Sequence, residues 1–267
     1  MAPLITILTV TRRIEALERC IDSVQNQRYD GPLVHQLVVD GNEAITSHLA
    51  KRVKDSRIPI QWLYVSRDVH DSDGPARLAV LRNQAVELAE SEYVAFLDDD
   101  NEWEPTHLHS LWSTIEEQSV DIAHSERKLF HHDGSPYLRE EFPWGRDEVS
   151  RRAIYAYCLE AGIMERGSNV VHDRMEMRFT WIDLGEWLFR REFLIANPFE
   201  TRYSLWDWYN LNVEDQSLPR AIFESRLSVA STKQSTLHYF LGGYTTKFDG
   251  DGVVWRRPEP PSPAGSA

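Results

Sequence analysis

The stretch Tyr93-Val94-Ala95-Phe96-Leu97-Asp98-Asp99-Asp100 decides how this chain is read. Its first five residues are uncharged and rich in β formers, which reads as a short buried strand. Carboxylates directly after such a strand stand at its carboxyl end, the edge where open α/β sheets bind their ligands. Two unit charges ~6 Å apart at an effective dielectric of ~20 repel by roughly 3 kcal/mol, so three in succession are costly. A divalent cation would relieve the repulsion, and Mg2+ typically takes one or two protein carboxylates and fills its other positions with water and substrate phosphates. The same residues also suit an acidic turn capping the next helix, because Asp and Asn are good N-caps.

Outward from this strand, the first half alternates strand and helix. Leu4–Thr9 reads as a strand, and Ile14, Leu17, Ile21 and Val24 then form a helical stripe with Cys20 beside it. Leu37–Val39 reads as a second strand ending in Asp40-Gly41-Asn42, and Ile60–Val65 as a third. Beyond the Gly74-Pro75 breaker, Ala76–Ala89 is helical by composition and carries Arg82 and Asn83. Pro105 suits the first turn of a further helix whose buried face is Leu108, Leu111, Trp112 and Ile115. Strands spaced by helices predict an α/β fold, a doubly wound and mostly parallel sheet with right-handed crossovers. Such a sheet gathers its strand ends on one edge, so Thr9–Arg13, Asp40–Asn42 and Asp98–Asp100 should converge on one crevice.

The second half is less regular. Phe130–Asp147 is rich in charge, Pro and Gly and reads as a long surface loop, followed by a helix candidate at Glu148–Ala161. Trp181–Phe189 is a strand candidate broken by Gly185, Pro219 suits the first turn of a helix with Ala221, Ile222 and Leu227, and Thr236–Leu241 is a last strand. These patterns divide the chain into 1–125, 126–256 and a proline-rich tail, 257–267, expected to be disordered.

The 267 residues are 42% hydrophobic and 27% charged, ordinary for a globular protein. The net charge of −13 argues against nucleic acid or an anionic membrane as partner, and a nucleoside diphosphate would then need a metal or a local basic patch. Two cysteines give neither a disulfide framework nor a zinc pattern, and Cys20 reads as core. The amino terminus lacks a basic start and long apolar run, and no stretch approaches the ~20 apolar residues of a membrane span, so a cytoplasmic protein is expected.

Taken in order, these segments resemble family 2 glycosyltransferases of the GT-A fold over roughly residues 4–240. Thr9-Val-Thr-Arg-Arg with Ser23–Gln27 is similar to that family's opening strand and helix, and Val38-Val39-Asp40-Gly41-Asn42 to its nucleoside-contacting turn. Arg82-Asn83-Gln84-Ala85 with Tyr93–Asp100 resembles its Arg-Asn helix and metal-binding aspartate motif. Gly185–Glu192 and Val213-Glu214-Asp215-Gln216 resemble its acceptor-side segments. Thr9 stands where the family usually has proline, Thr11-Arg12 where it has Tyr-Asn, and the second motif has one aspartate where many members have two.

The resemblance implies an inverting, metal-dependent enzyme that moves a sugar from a nucleoside diphosphate sugar, a UDP-sugar by default, to a hydroxyl of a small-molecule or glycan acceptor. It makes 1–125 the nucleotide-sugar half and 126–256 the acceptor half of one domain. Asp98 and Asp100 would hold Mg2+ or Mn2+, with His238 a further candidate ligand. Thr9, Thr11, Arg13, Asp40, Arg82, Asn83, Asp98 and Asp99 would bind the nucleotide sugar. Asp215 would be the general base, supported by Glu214, although both carboxylates also suit a helix start. Trp181, Trp206 and Trp208 would offer aromatic faces to the acceptor. His238 and the paired tryptophans read equally as structural residues, and Arg82 as a surface one. A sugar-phosphate nucleotidyltransferase wants a Gly-rich basic loop after the first strand and a nicotinamide dehydrogenase a Gly-x-Gly-x-x-Gly turn there; Thr9–Arg13 contains no glycine. A non-catalytic carbohydrate-binding module on the same fold stays open.

Overall fold

The computed structural model describes residues 1–255 except 16, 69–73, 146, 173–174, 177–178, 181, 206, 208–217, 244–245 and 250–251. The strands are Ile5–Thr11 (β1), Leu33–Asp40 (β2), Ile60–Val65 (β3), Tyr93–Phe96 (β4), Glu102–Trp103 (β5), Ile122–Phe130 (β6), Val170–Val171 (β7), Met175–Glu176 (β8), Phe179–Thr180 (β9), Trp187–Arg190 (β10), Val229–Phe240 (β11), Thr246–Asp249 (β12) and Gly252–Trp255 (β13). The helices are Leu17–Gln25 (α1), Glu43–Arg52 (α2), Pro75–Leu88 (α3), His107–Gln118 (α4), Glu148–Glu160 (α5), Arg191–Ala196 (α6) and Leu218–Glu224 (α7).

One sheet runs β3-β2-β1-β4-β10-β6-β11-β5, with β7 beside β6, while β8–β9 and β12–β13 pair separately. β1 lies parallel between β2 and β4, and β3 continues parallel beyond β2. β10 enters antiparallel between β4 and β6, and β6 pairs parallel with β11. The edge strand β5 is antiparallel to β11. The sheet is thus wholly parallel where the nucleotide motifs fall and mixed beyond. The division drawn at 125/126 lies inside β6, so the two halves share a strand instead of meeting at a linker.

The apolar run of β4 is buried because both its faces are covered. Tyr93 and Ala95 pack with Cys20, Val24, Leu108 and Leu111 on one side. Val94 and Phe96 pack with Ala79, Ala85 and Phe193 on the other. A parallel strand sandwiched by helices is hydrophobic on both faces, which is why it reads as a continuous run and not an alternation. The segment read as a surface loop behaves differently. Tyr137 and Phe142 are buried in a third cluster with Leu129, Tyr155, Cys158 and Leu241. Asp133, Arg139 and Glu140 stay outside while two aromatics anchor it, so composition concealed a packed segment. Among the described residues, no helix is long and apolar enough to cross a membrane.

Three histidines sit inside. His35 Nε2 donates to the Thr9 hydroxyl at 3.0 Å, and His107 meets the Thr236 hydroxyl at 2.7 Å while stacking on Trp103. Burial pushes their pKa values down to about 3, and His124 down to about 4. All three are therefore neutral when folded and take up protons near pH 6.5 when unfolded. Their contribution to stability is complete above about pH 6.5 and is lost as pH falls toward 3–4, at about 1.4 kcal/mol per pH unit for each proton. Denaturant unfolding at pH 7.5, 6.5 and 5.5 should show stability falling steeply below 6.5. His107→Gln, which keeps a hydrogen-bonding amide, should make that fall shallower; an unchanged slope would rule out proton uptake at His107.

Candidate active site

β1, β2 and β4 end side by side, and their carboxyl ends bring together most of the residues singled out above. Two groups must be distinguished, one turned into the protein and one turned toward the crevice.

The inner group braces the strand ends. Thr9 is buried, and its hydroxyl donates to the Leu97 carbonyl at 2.8 Å, tying β1 to the start of the aspartate turn. It does not reach the crevice, so its expected contact with the nucleotide gives way to a positioning role. Thr11 is buried as well, and its hydroxyl donates to Asp99 Oδ2 at 2.9 Å. Arg13 takes the other oxygen, Oδ1, at 2.5 Å. Asp99 is buried between them, a strut across β1 and β4. Asn83 likewise spends its amide on backbone: Nδ2 donates to the Phe199 carbonyl and Oδ1 accepts from the Phe199 N–H, both at 2.9 Å. It clamps α3 to the segment after α6.

The crevice group is smaller. Asp98 is 42% exposed, with Oδ1 held at 2.6 Å by Arg82, whose own side chain is only 5% exposed. Arg82 is thus a buried counter-charge and not a surface residue. Asp100 is 19% exposed, receives Arg13 on Oδ2 at 2.8 Å, and has its backbone carbonyl held by Arg19. Burial, reinforced by the charges of Asp99 and Asp98, pushes the Asp100 pKa up to about 6 despite Arg13. Burial alone would lower the Arg13 pKa, but Asp99 and Asp100 outweigh it and hold the guanidinium charged. At 48% exposure Arg13 is the open rim of the site.

At the end of β2, Asp40 is buried and gripped by Arg67 on Oδ2 at 2.7 Å and by Arg77 on Oδ1 at 2.8 Å. Neither arginine stood out in the sequence. The only available signal was a cation just past a strand end and another one turn and a half before Arg82. Gly41, at φ +71°, is required there because a Cβ would meet the Arg67 Cβ at 2.7 Å. Gly243 was missed too: a Cβ on it would lie 2.8 Å from Asp100 Oδ2, so the chain after β11 closes directly on the aspartate turn.

His238 takes a different place from the one expected. Its Nδ1 meets Glu102 at 3.0 Å and its Nε2 meets Glu104 at 3.1 Å, and Lys128 shares Glu104. Both ring nitrogens are engaged in that network. Trp181, Trp206, Trp208, Glu214 and Asp215 lie outside the described residues. Asp98 and Asp100 offer hard oxygen donors on the open side, and no three His, Cys, Asp or Glu side chains among the described residues form a metal cage. An exposed and a partly buried carboxylate, Asp98 and Asp100, fit Mg2+ or Mn2+ that draws its remaining ligands from phosphates and water.

Residues 5–170 match the family model Glycosyl transferase family 2. The colanic acid biosynthesis glycosyl transferase WcaA of Escherichia coli (strain K12) is 31% identical over 155 residues, 58% of this chain and 46% of that protein. The teichuronic acid biosynthesis glycosyltransferase TuaG of Bacillus subtilis (strain 168) is 28% identical over 138 residues, 50% of each. The chain spans about half the length of these curated relatives. Among solved structures, residues 1–349 of S. aureus TarS superpose with a TM-score of 0.55 at 16% identity, covering 88% of this chain and 60% of that one. The same protein in complex with UDP-GlcNAc gives a TM-score of 0.53 at 16% identity over 92% of this chain and 59% of that one.

The clamp at Asn83 has a measurable signature. Asn83→Ala leaves the Phe199 N–H and carbonyl without their partner and should cost about 2 kcal/mol of stability in denaturant unfolding. Nucleotide affinity, measured by calorimetry below the unfolding transition, should be nearly unchanged. A large loss of affinity with normal stability would return Asn83 to the ligand set.

Proposed function

The chain belongs to glycosyl transferase family 2 and has the GT-A fold, and on that footing we propose that it transfers a sugar from a nucleoside diphosphate sugar to an acceptor hydroxyl. The observation that carries the reading is the meeting of Asp98, Asp100 and Arg13 on the open side of one strand-end crevice, with Asp40 on its flank. In an acidic chain, Arg13, Arg67, Arg77 and Arg82 offset the aspartates at this edge and lessen its repulsion of a diphosphate.

Asp98 and Asp100 are the residues that would hold Mg2+ or Mn2+, which when bound neutralises charge on the departing nucleoside diphosphate. Arg13, half exposed beside them, is placed to donate to a phosphate oxygen. Arg82 orients Asp98 from behind. Asp40 and its two arginines form the nucleoside flank, with a UDP-sugar favoured by the family resemblance and by the UDP-GlcNAc complex of TarS. Asp215 takes the proton from the acceptor hydroxyl as that oxygen attacks the anomeric carbon, with Glu214 orienting it. A single displacement of this kind inverts the anomeric centre. Trp181, Trp206 and Trp208 offer faces to a small-molecule or glycan acceptor. A cytoplasmic location belongs to the same proposal.

Two variants test separate parts. Asp100→Ala should weaken UDP binding and abolish its Mn2+ dependence in calorimetry; equal, metal-independent affinity in both proteins would overturn the metal assignment. Asp215→Asn should lower transfer by about 10²–10⁴-fold while leaving donor affinity nearly unchanged. Product NMR should show an inverted anomeric configuration, and a retained centre would remove Asp215 from its role.

A further inference from the structure

The hydroxyl of Tyr239 stands at the aspartate turn without a hydrogen-bond partner among the described residues. Its surroundings are well defined. The next residue, Phe240, donates its backbone N–H to Asn101 Oδ1 at 3.0 Å, fixing the end of β11 to the turn that carries Asp98–Asp100. Four residues on, Gly243 closes on Asp100. The Tyr239 ring packs edge-on to Trp144 with centroids 5.3 Å apart, and the Arg127 guanidinium lies 5.7 Å from the Trp144 ring on the way to its ion pair with buried Glu186. Glu186 Oε1 also accepts from the Asp183 N–H at 2.7 Å, which brings Asp183 to the same place. The ring is therefore anchored by apolar packing, while its hydroxyl meets no hydrogen-bonding group among the described residues. Tyr239 is only partly buried, so the hydroxyl can take a partner from a molecule that enters beside it. Enclosure together with Asp183, Asp100 and Asp98 holds the phenol well above its usual pKa, so it is a donor at neutral pH.

Sheet order says which part of a substrate would meet it. Along β2-β1-β4-β10-β6-β11, Asp40 lies on one side of the aspartate turn and Tyr239 on the other. A diphosphate at Asp98 and Asp100 with its nucleoside toward Asp40 directs the sugar toward β11. The carboxylates around the phenol disfavour a second anion there and suit neutral hydroxyl groups. Resting on the glycosyltransferase reading above, we infer that the Tyr239 hydroxyl donates a hydrogen bond to the transferred sugar and contributes to donor specificity.

Tyr239→Phe removes one oxygen and keeps the ring against Trp144. Binding of UDP and of UDP-glucose, UDP-galactose and UDP-N-acetylglucosamine would be measured by calorimetry with Mn2+ for the full chain and the variant. The expected result is unchanged UDP affinity, an unchanged melting temperature, and about 3- to 10-fold weaker binding of the sugar nucleotide that the wild type prefers. Equal affinities for every sugar nucleotide in both proteins would overturn the inference while leaving the glycosyltransferase reading intact. Equal losses for UDP and UDP-sugars would overturn the assignment to the sugar, and a lowered melting temperature would show that the hydroxyl serves the fold. A wild type that binds none of the four would remove the choice of a UDP-sugar as donor, and this inference with it.

Discussion

Four carboxylates, Asp40, Asp98, Asp99 and Asp100, stand at the ends of two strands separated only by β1, and the fold must hold them there against their own repulsion. It does so with guanidinium groups. Arg67 and Arg77 grip Asp40, Arg82 backs Asp98, and Arg13 spans Asp99 and Asp100. Buried carboxylates without such partners would lose more in desolvation than packing of the strand ends returns. The compensation comes from three places in the chain, after β1, after β3 and in α3, and it ties these to the ends of β2 and β4 as one edge. The site is thus a by-product of the same ion pairs that let β2 and β4 terminate where they do.

Much of this was legible before any coordinates. β4 announced itself because a strand covered on both faces must be apolar throughout, and the aspartates after it follow the general rule for strand ends. What stayed hidden was hidden by polarity inside the protein. β6 carries His124, Ser125, Glu126 and Arg127, all buried, and no strand is read there because its polar groups are satisfied only by distant partners, Glu186, His172 and Ser235 among them. Such pairs join residues dozens of positions apart and leave no periodicity in either partner. α2 escaped for the opposite reason: a ten-residue helix needs only Ile45 and Leu49 inside, too few to make a stripe.

Motif matching also placed residues in the crevice that the chain keeps behind it. Thr9, Thr11, Asp99 and Asn83 lie within motifs that contact nucleotide sugars by resemblance, yet their polar atoms are spent on Leu97, Arg13 and Phe199. A motif preserves the geometry of a site, and half of that geometry is scaffolding. Alternation along a strand and one hydrogen bond decide which half a residue belongs to, and neither can be seen in a short string of letters.

The balance of arginine against aspartate at the crevice has a kinetic side. The molecule as a whole carries −13, while its binding edge is close to neutral. A nucleoside diphosphate sugar approaching from solvent meets the repulsive field of the whole surface first and the favourable local groups only at contact. Salt shortens the reach of that field to about 10 Å at 0.1 M and about 3 Å at 1 M. Added salt should accordingly speed encounter with the donor, the reverse of the electrostatic steering seen where a basic protein captures an anion.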